Sequence, residues 1–383
     1  MDETLTVALL EPYYGGSHAA FVDTFATHSR HRFRLATLPA RKWKWRMRGA
    51  AVWFTCERAE WLDDGRGGRP DVIMTNDMLN TADLRALLPP VARGIPIVCY
   101  FHENQLTYPI PDEQERDYQY GMTNTVSCLA ADAVWFNSRF HMEDFLAAAG
   151  GLLRKMPDHV PDGIVEKIRR KSLVLPPPVD VRPLQRTHAA GRSRPTILWC
   201  HRWEYDKNPA PFFEALVRLG DSGCDFEINL TGEQFRDAPA VFATLLGRLK
   251  EHVAHAGYIV GRADYLAMLA RSDYVVSTAI QENFGIAVIE AILAGCHPIL
   301  PNRLVYPEII PARYHDRCLY RDDAALFGHL QRLLADRDER LTPEELIELQ
   351  SSLSERFGHE TAVPALDAEL SRVVRTTRTG VGQ

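Results

Sequence analysis

The sequence predicts an α/β protein made of two doubly wound parallel-sheet domains, and three observations carry that expectation. Short apolar runs rich in Val, Ile and Leu alternate with helical patterns along the chain, as strands buried on both faces between covering helices require. The alternation stops and restarts once, across Pro176, Pro177 and Pro178, then Pro183 and a polar stretch from Arg186 to Arg194. The length, 383 residues, suits roughly two to three domains of about 150 residues each.

Taken in order, the strands of the first half are expected at Leu5 to Glu11, Arg32 to Leu38, Asp71 to Thr75, Pro96 to His102, Ala133 to Asn137 and Ser172 to Leu175. Those of the second half are expected at Thr196 to Cys200, Asp225 to Leu230, Val253 to Gly257, Asp273 to Ser277 and His297 to Leu300. The implied organisation is a first domain over 1–180, a linker over 181–195, a second domain over 196–358, and a C-terminal helix with a flexible tail over 359–383. The tail is expected from Thr376 onward, where the chain turns polar. In doubly wound sheets ligands bind beyond the carboxyl ends of the strands, so two such domains facing one another place a ligand in a central cleft.

Composition removes several classes. With hydrophobic residues at 46% and charged residues at 25%, the chain is neither disordered, collagenous nor coiled coil. A net charge of −6 means that any contact with a polyanion is local. The seven cysteines (Cys56, Cys99, Cys128, Cys200, Cys224, Cys296, Cys318) are odd in number and scattered, without zinc spacing, which reads as a reduced, cytoplasmic chain. Asp2 and Glu3 lead directly into the first strand without a basic region, and no apolar run approaches 18 residues, so neither export nor a membrane span is expected.

Five stretches carry candidate chemistry. Ser277 to Gly295 reads STAIQENFGIAVIEAILAG, in which a strand ends, a small-residue loop follows and a helix begins. The free N–H groups and positive dipole end of that helix suit a diphosphate. Glu282 on the loop has the reach for sugar hydroxyls and Glu290 for the two hydroxyls of a ribose; on spacing alone, both also read as solvated carboxylates flanking a helix. Just after the first strand of the second domain, HRWEYDKNP supplies Arg202 and Lys207, a bidentate fork and a point charge able to neutralise a leaving diphosphate. The first strand-to-helix loop, PYYGGSH, carries Gly15 and Gly16, before a helix expected near Ala19. Without GxGxxG it is a poor dinucleotide fingerprint. FHENQLTYP puts His102 and Glu103 at the end of a strand, where a histidine serves either structure or chemistry. In RKWKWRMR, Arg41 to Arg48, five basic residues interleave with Trp43 and Trp45. That pattern suits an RNA loop, whose phosphates need charge and whose unstacked bases need a flat partner. It equally suits an amphipathic element with its tryptophans packed inward.

These loops together resemble the GT-B glycosyltransferases, the retaining kind with two glutamates eight positions apart, here Glu282 and Glu290. PYYGGSH, LPARKWKWRMRG, FHENQLTYP, SCLAADAVWFNSRFH and HRWEYDKNP are further similar to the tRNA-queuosine alpha-mannosyltransferase group, and they span most of the chain. The resemblance implies the GT-B fold, two Rossmann-like domains facing a cleft, with the acceptor side in the first domain and the nucleotide-sugar donor in the second. It implies transfer of mannose from GDP-mannose to queuosine in a tRNA anticodon loop. It places Arg202 and Lys207 on the donor diphosphate, Glu282 on the sugar and Glu290 on the ribose, with His102, Gly15 and Gly16 flanking the anomeric centre. Asn283, Phe284, Gly285 and Ile286 then belong to the donor site, and Ser17, His18, Asn104, Lys42, Trp43, Lys44, Trp45 and Arg46 to the acceptor side.

No second carboxylate stands ready as a nucleophile in these motifs, so front-face attack is expected, with the departing phosphate taking the acceptor proton. His102, Glu282, Arg202 and Lys207 are the expected catalytic groups. With protein cations on the diphosphate, no metal or other cofactor is required. The Asp-x-Asp at Asp336 and Asp338 sits in a charged, helical stretch and reads as a solvated face. Glu282→Ala and Lys207→Ala are expected to abolish transfer and spare the fold. Two alternatives stand beside this reading. One is a cytoplasmic glycosyltransferase with another nucleotide-sugar and a lipid, glycan or protein acceptor. The other is a non-catalytic protein that binds a sugar nucleotide or tRNA.

Overall fold

The structure, a computed structural model, describes residues 3–63, 68–110, 116–180, 194–234 and 239–380. The expected linker over 181–195 lies outside the described residues except for Arg194 and Pro195. The chain divides into two compact units, one of Met1–Asp180 with His359–Gln383 and one of Val181–Gly358.

The first unit holds six parallel strands: β1 (Thr6–Tyr14), β2 (Arg32–Pro39), β3 (Val72–Asn76), β4 (Ile97–Phe101), β5 (Ala133–Phe136) and β6 (Ser172–Val174), in the order β2-β1-β3-β4-β5-β6. Every residue of β3, β4 and β5 is buried; β4 and β5 read as continuous apolar runs for that reason, while β3 ends on the buried polar pair Thr75 and Asn76. The edge strand β2 is not buried at any position. The helix expected near Ala19 begins at Gly16 and runs to His28; Gly16 takes φ +53°, a left-handed value that favours glycine. Asn80 and Ser138 cap the helices Thr81–Leu87 and Arg139–Leu153 with their side chains.

The returning C-terminal segment completes this unit. Helix His359–Thr379 lays Val363, Leu366, Leu370, Val373 and Val374 into one cluster with Leu5, Val7, Phe21, Phe25 and Tyr100. The flexible tail expected from Thr376 is corrected over its first half, where the helix continues through Thr379; its last residues, 381–383, lie outside the described residues.

The second unit repeats the plan with β7 (Thr196–Trp199), β8 (Glu227–Thr231), β9 (Val253–Gly257), β10 (Tyr274–Val276), β11 (His297–Pro301) and β12 (Leu319–Tyr320), in the order β12-β11-β10-β7-β8-β9. Strand β12 was not expected, since two residues leave no periodicity to read. Its core gathers Trp199, Phe212, Phe213, Ile228, Phe242 and Tyr274, with Trp203 stacked on Phe242 at 4.2 Å. The Asp-x-Asp lies in a helical stretch as expected: Asp336 follows the end of helix Asp323–Ala335, and Asp338 sits in the short 3-10 helix Arg337–Glu339, its N–H donating to the exposed Asp336 Oδ1 at 2.9 Å. Among the described residues no helix is long and apolar enough to cross a membrane.

Candidate active site

In the second unit, the chemistry gathers where β7 and β10 end. Lys207 is 8% exposed, and its ammonium donates to the carbonyl of Gln281 at 2.8 Å, with Glu282 Oε2 at 3.4 Å and Asp206 Oδ2 at 3.1 Å. Burial disfavours the charged amine, but the two carboxylates outweigh it and hold its pKa above the ordinary lysine value. Ile280 N and Gln281 N both donate to the Asp206 carbonyl, and Thr278 Oγ1 to that of Lys207, so the Lys207 turn and the glutamate loop are pinned together. Arg202, earlier on the loop that leads from β7 into this turn, pairs with Glu204 at 3.0 Å and keeps part of its guanidinium in solvent.

The glutamate loop enters helix Ile286–Leu293 through Gly285, whose φ of +81° is left-handed and favours glycine. Phe284 anchors the loop, buried edge-to-face on Phe357 at 5.1 Å. Asn283 is also buried and accepts from Gln281 Nε2 at 3.3 Å. Ile286 is the first residue of the helix. An N–H-rich helix start beside a buried ammonium and an exposed guanidinium is able to bind a phosphorylated anion.

Glu290 is not a solvated carboxylate: it is 6% exposed and accepts from Arg262 Nη2 at 2.6 Å and from the Tyr265 hydroxyl. Sequence reasoning missed both partners. Their signal was a basic residue directly after Gly261, opening helix Arg262–Arg271 beyond β9. A cavity of about 380 Å³ lies at the ends of β8 and β9, lined by Glu233, Gln234 and Tyr258.

The expectation that Lys207→Ala spares the fold is corrected here. Asp206 is 1% exposed, and removing Lys207 strands that carboxylate without its cation. Breaking one half of a buried pair costs about 3–5 kcal/mol.

The first unit builds a different cluster at the ends of β1, β3 and β4. Glu11, 1% exposed, accepts from Tyr13 N at 2.7 Å, Asn76 Nδ2 at 2.6 Å and His18 Nδ1 at 3.3 Å. Burial alone pushes the His18 imidazole down, but the Glu11 charge and hydrogen bond, joined by Asp77 and Glu103, lift it to about 9. His18 is thus a buried imidazolium at neutral pH. The His102 ring lies against it with centroids 4.0 Å apart. Desolvation, with His18 and His141 adding to it, holds His102 well below the ordinary histidine pKa, so it is neutral. His102 N and Glu103 N donate to Asp77 Oδ1 at 2.7 and 3.4 Å. The other Asp77 oxygen is buried without a hydrogen-bond partner, and burial raises its carboxyl to about 7. Glu11, Asn76 and Asp77 were all missed by sequence reasoning; Glu11, within an apolar strand, was the readable signal.

The donor atoms of Glu11, His18 and His102 come within 4.8 Å of one another. Both Glu11 oxygens already take hydrogen bonds from Asn76, His18 and the Tyr13 amide, so a proton on His18 occupies the place a cation would take.

The neighbouring glycines serve geometry. Gly15 is extended, and a Cβ there would stand 2.5 Å from Ala40 Cβ. Gly16 and Ser17 are exposed. Asn104, expected at the acceptor, is instead fully buried and spends its side chain on its own turn, accepting from Leu106 N and Thr107 N at 3.0 Å and donating to Thr107 Oγ1.

The basic stretch forms helix Trp43–Val52, entered through Lys42 at φ +57°. Neither tryptophan is buried. Trp43 is half-buried, edge-to-face on Tyr120 at 5.0 Å, with Lys44 above its ring. Trp45 is 65% exposed and lies along its own helix over Gly49, where a Cβ would come within 2.8 Å of the indole. Lys42, Lys44 and Arg48 are exposed, and Arg48 covers Tyr120. Arg46 is instead tied to the Pro39 carbonyl at 3.2 Å.

Two doubly wound units, one carrying a glycine-capped helix beside a buried lysine, have the architecture of the GT-B class, and the comparisons with known proteins make the chain a glycosyltransferase. Among solved structures the chain is similar to the sucrose-phosphate synthase of Thermosynechococcus elongatus, with a TM-score of 0.71 at 16% identity over 97% of this chain and 99% of that one. Anabaena HepE, crystallised with UDP and glucose, gives 0.67 at 15% over 96% and 100%. The profile for glycosyl transferases group 1 matches residues 182–348, and that for the tRNA-queuosine alpha-mannosyltransferase N-terminal region matches 6–179. The tRNA-queuosine alpha-mannosyltransferase of Drosophila melanogaster is 37% identical over 315 residues, covering 80% of this chain and 81% of that protein. The chain belongs to the tRNA-queuosine alpha-mannosyltransferase family. A GDP-mannose-dependent phosphatidylinositol dimannoside mannosyltransferase of Mycobacterium tuberculosis is 24% identical over 51% of this chain and 49% of its own length.

Proposed function

We propose that this protein transfers mannose, with retention, from GDP-mannose to queuosine in the anticodon loop of a cytoplasmic tRNA. The observation that carries the reading is the 37% identity to the Drosophila enzyme over four-fifths of both chains. The name of the more distant mycobacterial relative, GDP-mannose-dependent, supports the choice of donor.

In this reading Arg202, Lys207 and the amides opening helix Ile286–Leu293 take the diphosphate. Charge on the leaving oxygens grows as the glycosidic bond breaks, so these groups bind the transition state more tightly than the ground state. Glu282 exchanges part of its contact with Lys207 for sugar hydroxyls. Glu290, oriented by Arg262 and Tyr265, takes the ribose. The cavity beside Tyr258 accommodates the base. Neutral His102 accepts a hydrogen bond from a sugar hydroxyl, while the departing phosphate removes the acceptor proton. Ser17 and the exposed face of Lys42, Trp43, Lys44, Trp45 and Arg48 serve the tRNA. The diphosphate is neutralised by protein cations, so no metal is needed for this step.

The test is incubation of queuosine-containing tRNA with GDP-mannose and the protein, followed by mass spectrometry of the nucleosides. A hexosylated queuosine that forms with GDP-mannose and not with UDP-glucose supports the reading. Unchanged queuosine with active, folded protein and a proven tRNA substrate overturns it.

A further inference from the structure

Three side chains remote in sequence and unrelated to the proposed transfer meet elsewhere on the first unit. His28 is the last residue of helix Gly16–His28. Asp180 ends the first stretch of chain in this unit, and His359 begins the second. The two imidazoles stack with centroids 4.0 Å apart and planes 26° apart. His359 Nδ1 stands 3.4 Å from Asp180 Oδ1. One donor atom from each of the three residues lies within 4.8 Å of the others.

We propose that His28, Asp180 and His359 form a binding site for a divalent transition-metal ion. Two imidazole nitrogens and one carboxylate are a donor set for Zn²⁺, Co²⁺ or Ni²⁺; Mg²⁺ and Ca²⁺ prefer all-oxygen shells. Metal–ligand bonds of about 2.0–2.2 Å bring such donors to within roughly 3.3 Å of each other. His28 and Asp180 are exposed, so small side-chain rotations close the difference without moving the core. His28 also lies in the last turn of a 13-residue helix, where the negative end of the helix dipole favours a cation. Water completes the shell.

The site ties together the two points at which the chain leaves and re-enters this unit. They already share one hydrogen bond, from His359 N to the Val179 carbonyl at 3.2 Å. A bound ion would staple the start of the returning helix, whose apolar face completes the core, so metal binding adds to folding stability by mass action.

The experiment is titration of tag-free, reduced, chelator-treated full-length protein with Co²⁺. One equivalent should bind, giving visible d–d absorption without thiolate charge-transfer bands, and raise the melting temperature in a saturable way. His28→Ala and His359→Gln should each weaken binding at least tenfold and leave the melting temperature of the metal-free protein unchanged. In the wild type, Zn²⁺ should shift the imidazole NMR signals of His28 and His359 together, a readout that needs no variant. Absence of saturable binding up to millimolar Co²⁺ overturns the proposal. So does undiminished affinity in the folded double variant, which would place the ion elsewhere.

Discussion

Each unit sets a carboxylate on or just beyond a parallel strand, shortly before a helix that opens on a positive-φ glycine, yet the two clusters treat charge differently. In the first unit Glu11 faces His18, and the cation that balances it is an imidazolium with a pKa lifted to about 9. In the second, Glu282 shares Lys207 with Asp206, and the cation stays charged at any pH the protein meets. The first cluster is therefore a titratable device and the second a fixed one. The fixed cation suits a partner whose charge does not change, such as a diphosphate.

The largest expected effect comes from breaking the fixed cluster. Lys207→Ala should lose transfer and destabilise the protein by about 3–5 kcal/mol. Adding Asp206→Asn should restore much of the melting temperature and none of the turnover. If both return, Lys207 is a structural cation only. Glu282→Gln should lower kcat by about a hundredfold, the typical effect of removing one transition-state interaction, with a small change in melting temperature; wild-type turnover would remove Glu282 from the site.

Next comes the titratable cluster. His18 has its folded pKa raised from 6.5 to about 9, so its contribution is complete below pH 6.5 and fades as pH rises through about 9. Asp77, raised from 3.8 to about 7, likewise contributes below its unfolded pKa, and that contribution is lost as pH rises through about 7. The melting temperature should thus fall between pH 6.5 and 9.5, and His18→Gln should flatten that slope. An equal slope in the variant would assign the fall to other groups.

A smaller effect is expected on the exposed aromatic face. Replacing Lys42, Lys44 and Arg48 with Ala should leave stability within about 0.5 kcal/mol and reduce the log–log salt slope of tRNA binding by about 0.7–0.9 for each phosphate no longer neutralised. An unchanged slope in a folded triple variant would move the tRNA off this face. The smallest expectation is no change in turnover on adding EDTA; loss of activity restored by Mg²⁺ or Mn²⁺ would show that Arg202 and Lys207 do not neutralise the diphosphate alone.

Much of the fold was legible because parallel strands covered on both faces must be apolar at nearly every position, and β3, β4, β5 and β7 are buried throughout. Strand β12 was not legible at two residues. The glutamate loop was legible because glycine, small residues and acids in one short stretch announce a helix start with ligands. The partners were not. Arg262 meets Glu290 from 28 positions away, and Asn76 meets Glu11 from 65. The turn-closing contacts of Asn104 were not legible, because an amide that closes its own turn and one that reaches a ligand look alike in sequence.

Apolar periodicity and the glycine, lysine and glutamate motifs by themselves determined two doubly wound units and the residues of the candidate donor site, since these depend on neighbours along the chain. Tertiary structure alone decided which charges are buried and who balances them. That Lys207 is a structural as well as a candidate catalytic cation, that His18 is a buried imidazolium, and that the last helix belongs to the first unit all follow from contacts between distant segments. A pKa or the cost of an unbalanced charge is set by the dielectric and the partners at a site, and neither exists until the chain has folded.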